Sequence, residues 1–334
     1  MKSFLSILIF LPLFSNSQNL SIGANQDRLI QSITSDTING KYKEILFSYD
    51  LLKRVTSITE RTSMAEDSSK KFTDQLITDT SIIQQFEYKA EQKEPFLRRT
   101  TSFYFDEKEK KWFWQAYELQ YFIYENGKRV RDSILYKSRA FSLLDKRHEW
   151  DFDTTFKTYI TNIKHTDSAF YYMCDKTSYA NPMNLYTRSI VQHENSISQL
   201  SAHYFASFQI ISNSFYKKFD EAINPFNQLN IATVLANEKL SFSFDLDKVR
   251  VNYEPTARVH TLELNWLFLN KTNALNYYNE GIDLYSNYKH NMEVSYIYNQ
   301  LKLPVFCSIN ISLLDNDREV YTRKKRNFSF RYVD

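Results

Sequence analysis

The sequence predicts a mainly β protein of the α+β class, in which an antiparallel meander of hairpins is accompanied by one long amphipathic helix. Aromatic residues make up 16% of the 334 residues. Through most of the chain, aromatic and β-branched residues alternate with polar ones between turns rich in Asn, Asp and Lys, which is the pattern of half-buried strands. The helix is predicted from apolar residues that recur at intervals of three and four over residues 196–223.

Two hairpins stand out within the strand-rich part. The first runs from Tyr117 to Tyr136, and its turn contains Asn126-Gly127. This dipeptide favours a type I′ turn because both central residues of that turn need positive φ. The second is predicted over residues 303–331, with a turn at Asp315-Asn316-Asp317, whose side chains can bond to the local backbone.

The predicted helix covers residues 196–223. Ser196 and Gln199 fit a capping box, in which two side chains satisfy backbone amides at the start of a helix. Pro225 would end the helix. We expect its apolar stripe to pack against the sheet, and that stripe comprises Ile197, Leu200, Tyr204, Phe208, Ile211, Phe215, Phe219 and Ala222.

The first 17 residues have the pattern of a secretory signal peptide. Lys2 supplies the positive charge, and an apolar run from Phe4 to Phe14 is interrupted only by Ser6 and Pro12. That run is shorter than the roughly 20 residues needed to cross a bilayer as a helix. We expect cleavage after Ser17 and an exported protein that is periplasmic, associated with the outer membrane, or secreted. An uncleaved anchor is the alternative.

Composition shifts divide the chain into four parts. The signal peptide covers residues 1–17, and a hairpin-rich β region covers 18–180. Asn181-Pro182 interrupts the strands, so residues 181–239 are predicted to form a helical insertion or cover. Residues 240–334 are predicted to form a second β region, continuous with the first sheet.

Charge and glycine content exclude several classes of protein. The chain has 42 basic and 39 acidic residues, a net charge of +3, which is too balanced for a nucleic-acid-binding surface. Only four glycines occur. Phosphate-binding loops and nucleophile elbows need glycine for positive φ or close ligand approach. We therefore predict no cofactor and no nucleic-acid partner, and no later segment is long and apolar enough for a transmembrane helix.

A nine-residue pattern occurs twice, at residues 47–55 and 122–130. The two copies read FSYDLLKRV and FIYENGKRV, which is an aromatic residue, any residue, a tyrosine, an acidic residue, two turn residues, Lys, Arg and Val. Both aromatic residues lie on one face of a strand because side chains alternate. Partial copies begin at Phe86, Phe103, Trp150, Phe242 and Tyr296.

This pattern resembles the YD-repeat class of bacterial secreted and surface proteins, and the best match is FSYDLLKRVTSI at residues 47–58. The resemblance covers about a third of the chain. It implies a long antiparallel sheet of stacked hairpins that serves as a wrapping or display scaffold, with carbohydrate among the contacts known for that class. It implies no catalytic residues. The turn glycine typical of those repeats is present only at Gly127, and the spacing of the copies is irregular.

The densest group of reactive side chains lies at residues 145–153. On a strand, Glu149, Asp151 and Asp153 would share one face, where three carboxylates could hold a cation such as calcium or act as an acid and a base. The same three side chains could equally face water. Neither reading is decided by the sequence.

Two further groups of side chains are candidates for binding or bonding. Trp112 and Trp114 share a strand face and could stack on sugar rings, or could pack in the core. Cys174 and Cys307 could form a disulfide in an oxidising compartment, or remain two buried thiols.

We predict an exported, non-enzymatic binding or scaffold protein of the bacterial cell envelope, whose partner would be a carbohydrate or another envelope protein. The alternative is an extracytoplasmic hydrolase or metal-dependent enzyme centred on Glu149, Asp151 and Asp153. A third possibility is an outer-membrane barrel, whose strands alternate in polarity.

Overall fold

The computed structural model describes most of the chain, in sixteen stretches. They are residues 29–37, 41–64, 80–106, 111–140, 151–152, 157–165, 169–178, 181–193, 196–204, 209–236, 243–249, 258–263, 272–282, 287–315, 318–319 and 324–333. The side chains of some residues within these strands are outside the description.

The described residues form twenty strands and one short helix. The strands are β1 Ile30–Ser35, β2 Lys41–Tyr49, β3 Val55–Met64, β4 Thr80–Glu87, β5 Leu97–Asp106, β6 Lys111–Glu125, β7 Lys128–Ala140, β8 Asp151–Phe152, β9 Lys157–His165, β10 Ala169–Ser178, β11 Asn181–His193, β12 Ser196–Tyr204, β13 Gln209–Ile223, β14 Ser243–Val249, β15 Arg258–Glu263, β16 Thr272–Ile282, β17 Asn287–Tyr298, β18 Pro304–Asp315, β19 Arg318–Glu319 and β20 Lys324–Tyr332. The helix, α1, is Ala232–Ala236.

The strands form an antiparallel sheet that closes on itself. Each strand of a meander from β1 to β7 pairs with the next, β7 pairs with β9, and the meander continues through β13, β16, β17 and β18 to β20. β1 pairs with β2 on one side and with β20 on the other. Of the 18 strands in the sheet, β8 and β19 pair on one side only, so sixteen form the closed ring. β14 and β15 pair separately.

Closure gives the sheet an inner and an outer face with different chemistry. Ile33, Ile45 and Phe330 are register partners on β1, β2 and β20, and all are buried. Their neighbours along the strands point outward. The exposed outward residues of the described strands are mostly polar, and they include Gln31, Ser48, Gln85, Arg131, Glu293, Ser295, Asn310, Lys325, Ser329 and Arg331.

The segment between β13 and β14 packs against the inner face. This inner segment, residues 224–236, contributes Phe226, Ile231 and Leu235, which are fully buried in one hydrophobic cluster with inward residues of ten ring strands. The ring of Phe226 meets that of Phe330 edge-on at 5.1 Å. A sheet of sixteen strands encloses more space than its own side chains fill, and the inner segment occupies part of it.

The predicted helix over 196–223 is wrong, because these residues form β12 and β13. Ser196 pairs with His193 as a strand residue, and the chain reverses between Tyr204 and Gln209. Within β13 the register shifts between Tyr216 and Phe219. Such bulges insert extra residues and turn the two-residue period of a strand into intervals of three. Within the described part of residues 181–239, the helical residues are those of α1.

The predicted strand-rich meander is confirmed, and so are its hairpins. β6 and β7 pair across Glu125 and Lys128, with φ of 50° at Asn126 and 73° at Gly127. β18 pairs with β20 over the second hairpin, and Asp315 pairs with Arg318. Asn316 and Asp317 of the predicted turn lie outside the described residues. Within the described stretches no helix could traverse a bilayer.

The Gly127→Ala substitution should destabilise the protein by about 1 kcal/mol, because an L residue in the left-handed region is strained. No atom lies within 4 Å of the added Cβ, so the cost comes from the backbone alone. Urea unfolding would measure it. Gly127→Asn should cost less, since Asn tolerates positive φ, and Lys128→Ala is the control. An equal loss for Ala and Asn would contradict the assigned turn.

Candidate functional site

Five strands that run to the same end of the closed sheet finish in a tyrosine. These strand-end tyrosines are Tyr49, Tyr88, Tyr124, Tyr298 and Tyr332, and we call this end the tyrosine end. In each case another aromatic residue lies two positions earlier on the strand, namely Phe47, Phe86, Phe122, Tyr296 and Phe330. All five earlier residues belong to the hydrophobic cluster or pack against it. The repeated pattern of the sequence thus lies at the same end of the closed sheet on each of these strands.

Four of the strand-end tyrosines bind the backbone of the preceding neighbour strand. Their hydroxyls donate to carbonyl oxygens at the start of that strand, with oxygen–oxygen distances of 2.6 to 3.0 Å. The donor–acceptor pairs are Tyr49 with Ile30, Tyr88 with Val55, Tyr124 with Pro95 and Tyr332 with Pro304. Burial raises the pKa of Tyr88 to about 12 and raises the pKa of the other three further. The hydroxyls therefore remain donors at neutral pH.

Asp50 and Arg54 organise the turn between β2 and β3. Oδ1 of Asp50 accepts from the backbone N–H groups of Leu52 and Arg54 at 2.9 Å, and Oδ2 accepts from Nε of Arg54 at 2.7 Å. Hydrogen bonds and charge from Arg54 hold the pKa of Asp50 below its usual range, against a desolvation contribution that raises it. The turn is therefore braced by its own side chains.

The guanidinium of Arg54 also connects this turn to the next one. Its Nη1 donates to the carbonyl oxygens of Ala90 and Gln92, at 2.6 and 2.9 Å. The same group lies 4.5 Å from the ring centroid of Tyr88, a cation–π distance. The Asp–Arg pair of the sequence repeat thus holds two adjacent turns together.

A second turn at this end has the same structure. In the β17–β18 turn, Oδ1 of Asn299 accepts from the N–H groups of Leu301 and Leu303 at 3.0 Å. Lys302 has φ 58°, and Lys53 at the matching position has φ 60°. Residues 49–54 and 298–303 are therefore structural copies, extending the partial copy at Tyr296 through the turn.

Asn230 attaches the inner segment to the tyrosine end. Its Oδ1 accepts from the N–H of Val55 at 3.0 Å, and its Nδ2 donates to the hydroxyl of Tyr88 and the carbonyl of Lys93, both at 2.9 Å. One amide side chain therefore joins β3, the residue after β4 and the β4–β5 turn.

The Asn230→Ala substitution should lower the free energy of unfolding by about 2–4 kcal/mol, because three hydrogen-bonding groups lose their partner. Gln228→Ala, at an exposed position of the same segment, is the matched control. Urea titrations of both variants would measure the difference. Equal small losses would show that Asn230 does not hold the inner segment.

The inner face also carries a group of polar side chains on β2 to β7. This inner polar cluster comprises Lys43, Glu60, Gln84, Arg98, Glu118, Gln120, Arg129 and Asp132. Nη2 of Arg98 donates to Oε1 of Glu118 at 2.8 Å, and its Nη1 lies 3.5 Å from Oε1 of Gln84. Arg98 and Gln84 are both buried.

The second ion pair of the inner polar cluster joins Arg129 and Asp132. Nε of Arg129 donates to Oδ1 of Asp132 at 2.7 Å, and Nη2 of Arg129 binds the other carboxylate oxygen. Nε2 of Gln120 also donates to that oxygen, at 2.7 Å. Asp132 is fully buried. Two arginines and two carboxylates thus compensate one another.

Glu60 and Lys43 form the third pair. Glu60 is fully buried, whereas the Lys43 side chain is 17% exposed. Desolvation raises the pKa of Glu60 to about 7, although the charge and hydrogen bond of Lys43 act to lower it. Within the inner polar cluster, this carboxyl is the group set to titrate near neutral pH.

The pKa of Glu60 predicts a pH dependence of stability. Folded protein keeps this proton to about pH 7, whereas an unfolded chain releases it near pH 4.5. The free energy of unfolding should therefore decrease as the pH rises from about 4.5 to about 7. The decrease from this group should be about 3 kcal/mol. Glu60→Gln should flatten that slope in urea titrations across the range. Glu44→Gln, on the outer face of β2, is the control, and an unchanged slope for Glu60→Gln would contradict the assignment.

The inner polar cluster is suited to holding strands together rather than to catalysis. Its charges are paired with each other, and each pair contains at least one buried partner. Removing one member of such a pair would leave an uncompensated buried charge, which is costly. The described residues also contain no group of three or more His, Cys, Asp or Glu side chains placed to hold a metal.

The structure locates some of the residues proposed from the sequence. Glu149 and Asp153 lie outside the described residues, and Asp151 lies in β8 with its side chain outside the description. The proposed cation or acid–base site therefore stays a prediction. Trp112 and Trp114 both lie on β6, and Trp114 is partly exposed, while the Trp112 side chain is outside the description.

The two cysteines lie on different parts of the ring. Cys307 is a buried free thiol on β18, and burial raises its pKa. Cys174 lies on β10, and its side chain is outside the description. Because one of the two side chains lies outside the described residues, the choice between a disulfide and two buried thiols stays a prediction.

The inner polar cluster and Asn230 were not predicted from the sequence. A weak indication was available, because Glu60, Arg98 and Asp132 occupy strand positions whose neighbours two residues away include Ile58, Thr100 and Ile134. A charged residue at an inward position needs a partner inside the sheet, which lies on a neighbouring strand for Glu60 and Arg98 and on the same strand for Asp132. Only the register identifies those partners.

Two porin-like proteins are among the solved structures that are similar to this chain. A porin-like protein from Bacteroides vulgatus has 11% identity and a TM-score of 0.44, with 92% of this chain and 99% of that chain covered. A porin-like protein from Bacteroides uniformis has 11% identity and a TM-score of 0.40, with 91% and 98% covered. No protein family and no curated protein matches the sequence.

Proposed function

We propose that this chain is an exported, non-enzymatic binding or scaffold protein of the bacterial cell envelope. The observation that carries the proposal is the polarity of the closed sheet in its described part. Apolar side chains, the inner segment and compensated ion pairs lie on the inner face. Polar side chains, including Glu293, Asn310, Lys325 and Arg331, are exposed on the outer face.

This polarity favours a rigid body that is surrounded by water and binds its partners through its outer surface. A closed sheet embedded in lipid would need an apolar band on its outer face. The outward row formed by Glu293, Asn310 and Lys325 crosses three adjacent strands and is exposed. Charged groups in a lipid-facing row would be costly, so we place this part of the sheet in an aqueous compartment.

The pairing of buried charges supports a non-enzymatic role. A catalytic acid or base must reach its substrate, and the ionisable groups of the inner polar cluster are bonded to each other. The partner would then be bound at the exposed surface, as a carbohydrate or another component of the envelope.

The proposal predicts a processed protein outside the cytoplasm. Expression of the full gene in a Gram-negative host, followed by fractionation and intact mass measurement, should give an envelope or secreted product that begins at Gln18. Leu8→Arg, which breaks the apolar run of residues 4–14, should retain the unprocessed chain in the cytoplasm. Leu8→Ile is the control. Recovery of the wild-type protein in the cytoplasm with Met1 and the first 17 residues intact would refute the proposal.

A further inference from the structure

The exposed large apolar side chains of the described residues are concentrated at the tyrosine end. Leu51 is 102% exposed, Ile297 60% and Leu52 57%. The other three are exposed by 37% to 39% and are Tyr121, Ile123 and Val333. Each of the six lies in a turn at this end, in the last residues of a strand that runs to it, or directly after β20.

These side chains lie at one level of the closed sheet but on widely separated strands. Ile297 is on β17, Val333 follows β20, Leu51 and Leu52 join β2 to β3, and Ile123 is on β6. They therefore border the end of the sheet over an arc of nine strands, counted around the ring from β17 to β6. A partner protein usually buries one compact patch. A flat surface, in contrast, can contact side chains that are spread along a rim.

The most exposed pair is held rigidly. The Asp50 carboxylate binds two backbone N–H groups of its own turn, and Arg54 fastens that turn to the carbonyls of Ala90 and Gln92. These bonds fix the backbone that carries Leu51 and Leu52 at the rim. Two leucines are thus held in water by a braced turn, which is unfavourable unless another surface covers them.

Among the described side chains of this rim, the charges are mainly positive. The turns carry five exposed lysines, which are Lys53, Lys89, Lys93, Lys128 and Lys302, against three exposed glutamates, which are Glu91, Glu94 and Glu125. Arg131 and Arg331 are exposed on the strands beside them. Lys53 adjoins the leucine pair, and Lys302 occupies the equivalent position of the copied turn.

We propose that the tyrosine end docks on a membrane surface that contains anionic phospholipids. The rim leucines, Ile297 and Val333 enter the headgroup region, and the lysines contact the phosphates. Apolar insertion and electrostatic attraction together give peripheral binding without a spanning segment. This inference rests on the proposed envelope location, because export would bring the protein to such a surface.

Vesicle flotation of the mature chain, residues 18–334, tests the inference. The probes are phosphatidylcholine vesicles and vesicles of equal phosphatidylcholine and phosphatidylglycerol. We expect binding to the anionic vesicles that weakens with added salt. The double variant Lys53→Glu/Lys302→Glu should weaken this binding at least about thirtyfold, since each lysine near an anionic surface contributes about 1 kcal/mol. The double variant Leu51→Ser/Leu52→Ser should weaken it about tenfold.

Lys325→Glu is the matched control, because Lys325 is exposed near the start of β20, at the opposite end of that strand from Tyr332. This variant should bind as the wild type does. Urea midpoints would show that all variants fold. Absence of vesicle binding, or equal effects of Lys325→Glu and the rim variants, would overturn the inference. A dimer in sedimentation analysis that Leu51→Ser/Leu52→Ser abolishes would also overturn it, since a second copy would then cover the rim.

The failure of this inference can be told apart from the failure of the proposed function. An exported, processed protein that does not bind vesicles would refute this inference alone, whereas an unprocessed cytoplasmic product would refute the proposed function.

Discussion

The pairing of β1 with both β2 and β20 is the interaction on which the rest of the structure depends. Each strand of an antiparallel sheet leaves unpaired N–H and C=O groups on any free edge, and an open sheet must protect those edges from other chains. Here the first and last strands of the ring satisfy each other. Closure removes the edges, and it also creates an interior that has to be filled.

Filling that interior explains the unusual placement of polar groups. Near the tyrosine end, apolar side chains and the inner segment share one hydrophobic cluster. On β2 to β7, inward positions also carry charges, and two of the ion pairs join different strands, namely Arg98 with Glu118 and Lys43 with Glu60. Such pairs contribute little net stability but penalise incorrect pairing of strands. They can therefore select one register among the many that a meander permits.

The repeat in the sequence acquires a physical meaning at the tyrosine end. An aromatic residue followed two positions later by tyrosine places both rings on the inner face. The first ring packs in the core, and the second carries its hydroxyl to a carbonyl at the start of the neighbouring strand. The Asx residue that follows begins the turn, as at Asp50 and Asn299. This geometry accounts for the pattern through local bonding, whatever the relation of the chain to the YD-repeat class.

The sequence by itself determined the strand-rich class, the hairpin at Asn126-Gly127 and the repeat, because alternation and turn chemistry depend on neighbouring residues only. It misrepresented residues 196–223, where strand bulges and a chain reversal imitate a helical period. The tertiary structure alone decided that the meander closes, that Asn230 fastens the inner segment, and that Glu60 meets Lys43 in the interior. Each of these joins residues that are distant in the chain or fixed by register, so no local pattern encodes it, and only the enclosed interior brings the partners together.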